Sequence, residues 1–396
     1  MHLTKEEEEA LDGKYGRALA LAYRVLVAIG EATEAERLVN VNWAHISGVN
    51  YNTIGDAGIN FLEDLVKDES AKVMIKATLN PTGYDPNKSE EIDSEFLEKQ
   101  SRINKAYEKL GVTLSYTCIP YESFDINQFA KKGSYVSVAE SNAAIYVNSV
   151  VELLTNKESA ISALASALTG KAPLSRLRIK ENRNAKLCVE VKYEMKDELD
   201  YGLLGYFAGK LNEDCIAFEG IKQESIFSNE PNSVANVKAL CSALGTSGSV
   251  GMFTLSYRKV KERYEFNKIE ANKIKDELSN ADRGDVILFG SPQLGLNDLS
   301  RLSNMLMGRK FKKRCIAFCA RSVYMKAKKI GLVDKLENSN VSIYCDCCSC
   351  LTPLITKDKY DSVITNSVKA AYYLRNWNKV DVCLASMKNI VENESI

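Results

Sequence analysis

From residue 285 to residue 375, short apolar runs and helical stretches take turns along the chain. DVILFGS (285–291), RCIAFCA (314–320), VSIYC (341–345) and DSVITNS (361–367) are strand-like, dense in Val, Ile and Phe. LNDLSRLSNMLMGRK (296–310), SVYMKAKKIGL (322–332) and VKAAYYLR (368–375) carry helical spacing. Such alternation packs as a parallel sheet covered by helices on both faces, so the predicted class is α/β with a C-terminal doubly wound domain. Ligands of open α/β sheets sit beyond the carboxyl ends of the strands. Those ends are Gly290-Ser291, Cys345 to Cys350 and Asn366 to Lys369, three segments predicted to share one rim.

The earlier part of the chain is less regular but of the same kind. Residues 5–40 and 57–67 read as helices, 72–80 as a strand, 95–111 as a helix ending at Gly111, and 112–121 as the next strand. Thr4 and the acids Glu6 to Glu9 suit a capped helix start. The expected division is an N-terminal α/β region over 1–270, carrying substrate-binding loops, and a doubly wound domain over 271–396 with cysteine-bearing strand ends. Several α/β layers are expected in all.

Charge and composition exclude several function classes. Lys plus Arg and Asp plus Glu are 52 each, so there is no basic excess of the kind a general nucleic-acid binder needs. No apolar run approaches the roughly 20 residues that cross a bilayer. The acidic opening is the wrong charge for a secretory signal, and the expected location is the cytoplasm. Eleven cysteines in a reducing compartment point to metal or redox chemistry before disulfides. His2 and His45 are the only histidines, so any metal centre rests mainly on sulfur and oxygen.

The cysteines divide by position. Cys345, Cys347, Cys348 and Cys350 lie within YCDCCSC, where metal ligation and simple burial as small hydrophobes are both open. Cys315 and Cys319 lie in a predicted strand and read as core, as do Cys188, Cys215, Cys241 and Cys383. HISGVNYNTIGDAG (45–58) is rich in turn formers, and Gly48 permits close backbone approach. GTSGSVG (245–251) lacks the GK[ST] ending of a phosphate loop and reads as a turn.

Taken together these segments resemble aconitase X, a family of the aconitase superfamily. LTKEEEEALDGKYG, AHISGVNYNTIGDAGINFLEDL, ATLNPTGYD, TCIPY, VAESNAAIYVNSV, SALASALTGKAP, DYGLLGYFAGK and TNSVKAAYYL follow in the family's order along nearly the whole chain. The resemblance implies a hydro-lyase (a dehydratase) acting on a small hydroxy acid such as 5-phosphomevalonate or cis-3-hydroxy-L-proline. It implies the large catalytic subunit, an iron–sulfur cluster of the 4Fe-4S type, and a small swivelling partner subunit. Carried over by position, it gives Cys118 and Cys348 as cluster ligands. Gly48, Val49, Asn50, Asn80, Pro81, Glu140, Ser141 and Lys369 become substrate contacts, with Ser141 and Glu140 the candidate bases.

The chain also departs from the family pattern. Its third cluster cysteine, in G-C-P-H, is replaced by Ser291 in GSPQ. A hydroxyl is a harder and far less acidic ligand than a thiolate, so the position keeps a serine ligand, recruits Cys345, Cys347 or Cys350, or loses the cluster. Thr254 stands at a usual histidine, Leu154 at a usual arginine and Asn142 at a usual serine. These changes motivate an alternative, a degenerate paralogue acting as a binding or regulatory subunit. A zinc protein built on the four-cysteine run is a third reading.

Overall fold

The computed structural model describes residues 1–258 and 260–396. It divides into two compact units, Met1–Thr82 with Asp93–Asn184, and Gly83–Ile92 with Ala185–Ile396. The position near 270 expected from sequence falls inside the second unit, within the helix Lys268–Leu278.

The first unit is built on a small parallel sheet in which Trp43–Ile46 lies between Lys76–Leu79 and Ser137–Val138. All four residues of the central strand are buried, because helices cover both of its faces. The core is Leu26, Ala44, Ile46, Ile59, Leu62, Ile103, Leu110 and the small residues of helix Ala160–Thr169. Thr4 caps Lys5–Leu11 with a reciprocal bond to Glu7, as the acidic start predicts. The helices do not run on to residue 40. The second ends at Ala32, and Leu38–Asn40 pairs antiparallel with Lys171–Pro173.

The strand expected over 112–121 does not form. Thr113 and Thr117 donate N–H to Ala77 and Leu79, so the segment runs beside Lys76–Leu79. Between them Tyr116 takes a positive φ of 44° and the Leu79 amide donates to the Ser115 hydroxyl, and beyond them Pro120 opens a short helix. A positive φ and a proline interrupt a ladder that β propensity favours.

In the second unit the four strand-like runs of the last third pair as expected, joined by Asp381–Leu384. The parallel order is 341–345, 314–319, 286–294, 362–365, 381–384. In chain order this is 3-2-1-4-5. The direction of winding therefore reverses between Val286–Leu294 and Ser362–Thr365, where a doubly wound sheet opens its crevice. Cys315, Cys319 and Cys345 sit in the hydrophobic core of this sheet with Phe289 and Ile343, in agreement with a core role for the first two. A second sheet, parallel throughout, runs 252–254, 215–219, 187–191, 262–266. Among the described residues no helix is long and apolar enough to cross a membrane.

Candidate active site

In the first unit the carboxyl ends of the three parallel strands carry Ile46, Leu79 and Val138, and the predicted residues follow each of them. Gly48 has φ 72° and lies so close to Ala160 that an added Cβ would come within 2.7 Å of its methyl carbon. Its carbonyl accepts the Tyr107 hydroxyl, and the Val49 carbonyl accepts the Gln100 amide. Asn50 caps helix Tyr51–Leu65, its Oδ1 accepting the Asn52 amide at 2.8 Å. That helix kinks at Gly55, whose φ is 56°. These contacts hold the 48–50 turn from both sides.

Asn80 and Glu140 meet at the rim. Asn80 Nδ2 donates to Glu140 Oε2 at 2.7 Å, and Glu140 is 8% exposed. An ionised carboxylate only accepts, so the amide group of Asn80 faces Glu140 and its carbonyl faces the other way. That carbonyl lies 3.0 Å from His45 Nε2, which must then carry the proton. Nδ1 of the neutral ring accepts from Thr78 Oγ1 at 2.8 Å, and Thr78 in turn accepts the indole N–H of Trp43 at 2.9 Å. The chain Trp43–Thr78–His45–Asn80–Glu140 has one consistent direction of donation. Burial pushes the His45 pKa down to about 4, against the pull of the Glu140 charge. Of this chain only Asn80 and Glu140 stand out in the sequence, because Trp43, Thr78 and His45 lie in strands and read there as ordinary buried residues.

Glu140 is also the N-cap of helix Ser141–Ser149, which puts the half-buried Ser141 at its first position. Asn142, where the family has serine, is wholly buried and donates to the Cys118 carbonyl and to Tyr121. Cys118 is thereby tied to the Glu140 segment. Pro81 is buried directly after Asn80.

In the second unit the three predicted strand ends do share a rim, at the point where winding reverses. Gly290 to Pro292 and Asn366 to Lys369 line a cavity of about 50 Å³ with Glu198, Lys238, Asp298 and Arg301. That volume holds several waters. The Ser367 hydroxyl donates to the Ser291 carbonyl, and the Gln293 amide donates to the Cys347 carbonyl at 3.0 Å. These bonds bring the cysteine run against Ser291. Cys350 Sγ lies 3.1 Å from Ser291 Oγ, and Cys348 Sγ lies 3.9 Å from the Gly290 carbonyl. All three side chains are buried.

The Cys350 thiol, above all, holds Cys348 down to about 6, with help from the Lys369 charge and the Ser291 hydroxyl. Cys350, which keeps the shared proton, is pushed well up. A thiolate at Cys348 is the form that binds metal. Among the described residues no three of His, Cys, Asp and Glu gather as a metal cage. The second unit thus supplies two soft sulfurs and one hard hydroxyl oxygen. The sulfurs fit an iron–sulfur cluster, and the hydroxyl is the weak member of the set.

Behind this rim lies an ionic group that no local pattern announces. Lys238 pairs with Asp298, both nearly fully buried, and Asp298 also accepts the Gly295 amide. Arg301 bonds Glu198 at 3.0 Å, and Glu198 further accepts from Asn366 and the Met387 amide. The group ties three helices to the strand end bearing Asn366. Thr254 ends the strand Met252–Thr254 and accepts the Ser256 amide, while Leu154 is buried in the first unit. The segment 245–251 closes helix Pro231–Ser247 and leads into Met252 as a turn.

Comparison with known proteins follows the same layout. Models of the aconitase X first, second and third domains match residues 1–181, 185–278 and 284–395. The phosphomevalonate dehydratase large subunit of Thermococcus kodakarensis is 34% identical, over 99% of each chain. That of Methanocaldococcus jannaschii is 33% identical, over 99% of this chain and all of its own. A cis-3-hydroxy-L-proline dehydratase of Hypocrea jecorina is 30% identical over 94% of this chain and 65% of its own. The crystal structure of aconitase X from Thermococcus kodakaraensis, in its holo form, superposes with a TM-score of 0.89 at 32% identity, covering both chains fully. With three domain models matched in order and full-length relatives above 30% identity, the chain belongs to the aconitase X family of hydro-lyases.

Proposed function

We propose that this chain is the large subunit of a cytoplasmic dehydratase that removes water from a small hydroxy acid. The relatives act on phosphomevalonate or on cis-3-hydroxy-L-proline, and a substrate of that class, 5-phosphomevalonate or cis-3-hydroxyproline, is the reading for this chain. The partner is a small swivelling subunit, in keeping with the "large subunit" of the relatives' names. The observation that carries the reading is the Asn80–Glu140 contact at the carboxyl-end rim of the first sheet, aimed from behind by His45.

In this reading the Glu140 carboxylate takes the proton from carbon, with Ser141 beside it as the other candidate base. Asn80 holds Glu140 in place and presents the rest of the rim to substrate. The turn at Gly48, Val49 and Asn50, together with Pro81, shapes the pocket wall. Lys369 supplies the positive charge for a carboxylate or phosphate. An iron–sulfur cluster would be held in the second unit by Cys348 and the group at position 291, and would supply a Lewis acid for the departing hydroxyl.

The test is turnover of the two hydroxy acids by the anaerobically purified complex. Glu140→Gln is expected to lower kcat about 100- to 10,000-fold, the usual share of a general base. Lys369→Met is expected to raise KM at least tenfold, since a hydrogen bond to a charged group is worth about 1.5–3 kcal/mol. Full activity in both variants would remove these residues from the mechanism. Ser291 favours a second reading, a binding subunit without turnover. Substrate binding with no turnover in an iron-loaded complex would select it.

A further inference from the structure

Resting on the cluster reading above, we propose that Cys350 is a thiolate ligand of the cluster, taking the place that Ser291 cannot fill. Beside Cys348, already a ligand in that reading, Cys350 places its sulfur 3.1 Å from the Ser291 hydroxyl. The chain turns back at Cys348, whose carbonyl accepts the amides of Leu351 and Thr352, and this turn delivers Cys350 to the rim. The remaining two cysteines are engaged otherwise. Cys345 is registered opposite Cys319 in the parallel ladder and packs in the core, and Cys347 meets the rim through its carbonyl.

The chemistry favours the sulfur over the oxygen. A thiol ionises several pH units more readily than a serine hydroxyl, and soft thiolates are the ordinary ligands of iron–sulfur clusters. Ligation releases the Cys350 proton as the sulfur–iron bond forms. The substitution at 291 is thereby compensated two residues beyond Cys348, on the same loop.

The experiment measures iron and acid-labile sulfide per chain, with the low-temperature paramagnetic spectrum, in protein isolated without oxygen. Four forms are compared: the natural chain, Cys350→Ser, Ser291→Cys, and the two changes together. Cys347→Ser serves as a control, and circular dichroism confirms that each form is folded. The natural chain and Cys347→Ser should hold iron and sulfide in equal amounts. Cys350→Ser should lose most of both, and adding Ser291→Cys should restore them. Natural levels and an unchanged spectrum in Cys350→Ser would overturn the proposal. So would a natural chain without iron that gains it on Ser291→Cys, a result that leaves the cluster reading standing. No iron in any form would overturn both.

Discussion

His45 makes the folded chain acid-sensitive in a way that can be calculated. Its imidazole is wholly buried and neutral, with a pKa near 4 against about 6.5 in the unfolded chain. Below pH 6.5 the unfolded chain binds a proton that the folded one refuses. Stability from this residue is therefore complete above pH 6.5 and is lost as pH falls toward 4. The ratio of the two proton-binding terms rises from near 1 at pH 7 to about 30 at pH 5, so the loss over that interval is about 2 kcal/mol. Other groups titrate too, and a difference measurement removes them. Urea unfolding of the natural chain and of His45→Gln, at pH 7 and at pH 5, gives the required pair. At pH 7 the variant should be less stable, having lost hydrogen bonds in the Thr78–His45–Asn80 chain. At pH 5 the gap should have narrowed by about 2 kcal/mol. A gap that stays constant, or widens, would refute the assignment of a neutral buried ring. Only His2, which is exposed, shares the residue type, so a nitrogen-15 spectrum of the ring should also show the proton on Nε2.

Two further outcomes are expected. Lys238→Met leaves Asp298 buried without its ammonium and should cost about 3 kcal/mol, the low end for a broken buried pair because Arg301 Nη1 stands 3.9 Å from Asp298 Oδ1. Lys238→Met with Asp298→Leu should recover most of that stability in chemical unfolding; a double variant no better than the single would count against the explanation. Gly48→Ala should lose about 1–2 kcal/mol from its positive φ, and more from the contact with Ala160. Adding Ala160→Gly should return the second part and leave the first, and full recovery would show that the backbone carries no strain.

The two kinds of site residue differed in how far the chain announced them. The 285–291, 341–345 and 361–367 strands are legible because Val and Ile runs bounded by turns admit few alternatives, and their ends bring forward Ser291, Cys348 and Lys369 together. The 112–121 run misled because its propensity is that of a strand, while Tyr116 and Pro120 impose a backbone that no strand accepts. Lys238, Arg301 and Glu198 gave no signal, since a charged residue on a helix reads as solvated until the neighbouring helix is placed against it.

What the order of residues determined by itself is the class of fold, the succession of motifs and the rim on which the chemistry-bearing residues fall. These follow from period and spacing, which are properties of the chain alone. What only the tertiary structure decided is which of those residues touch. The Cys350 sulfur meets Ser291 across a sequence separation of 59, and Asn80 meets Glu140 across one of 60. Such pairings depend on the order in which parallel strands lie side by side, and a short-range pattern carries no record of that order.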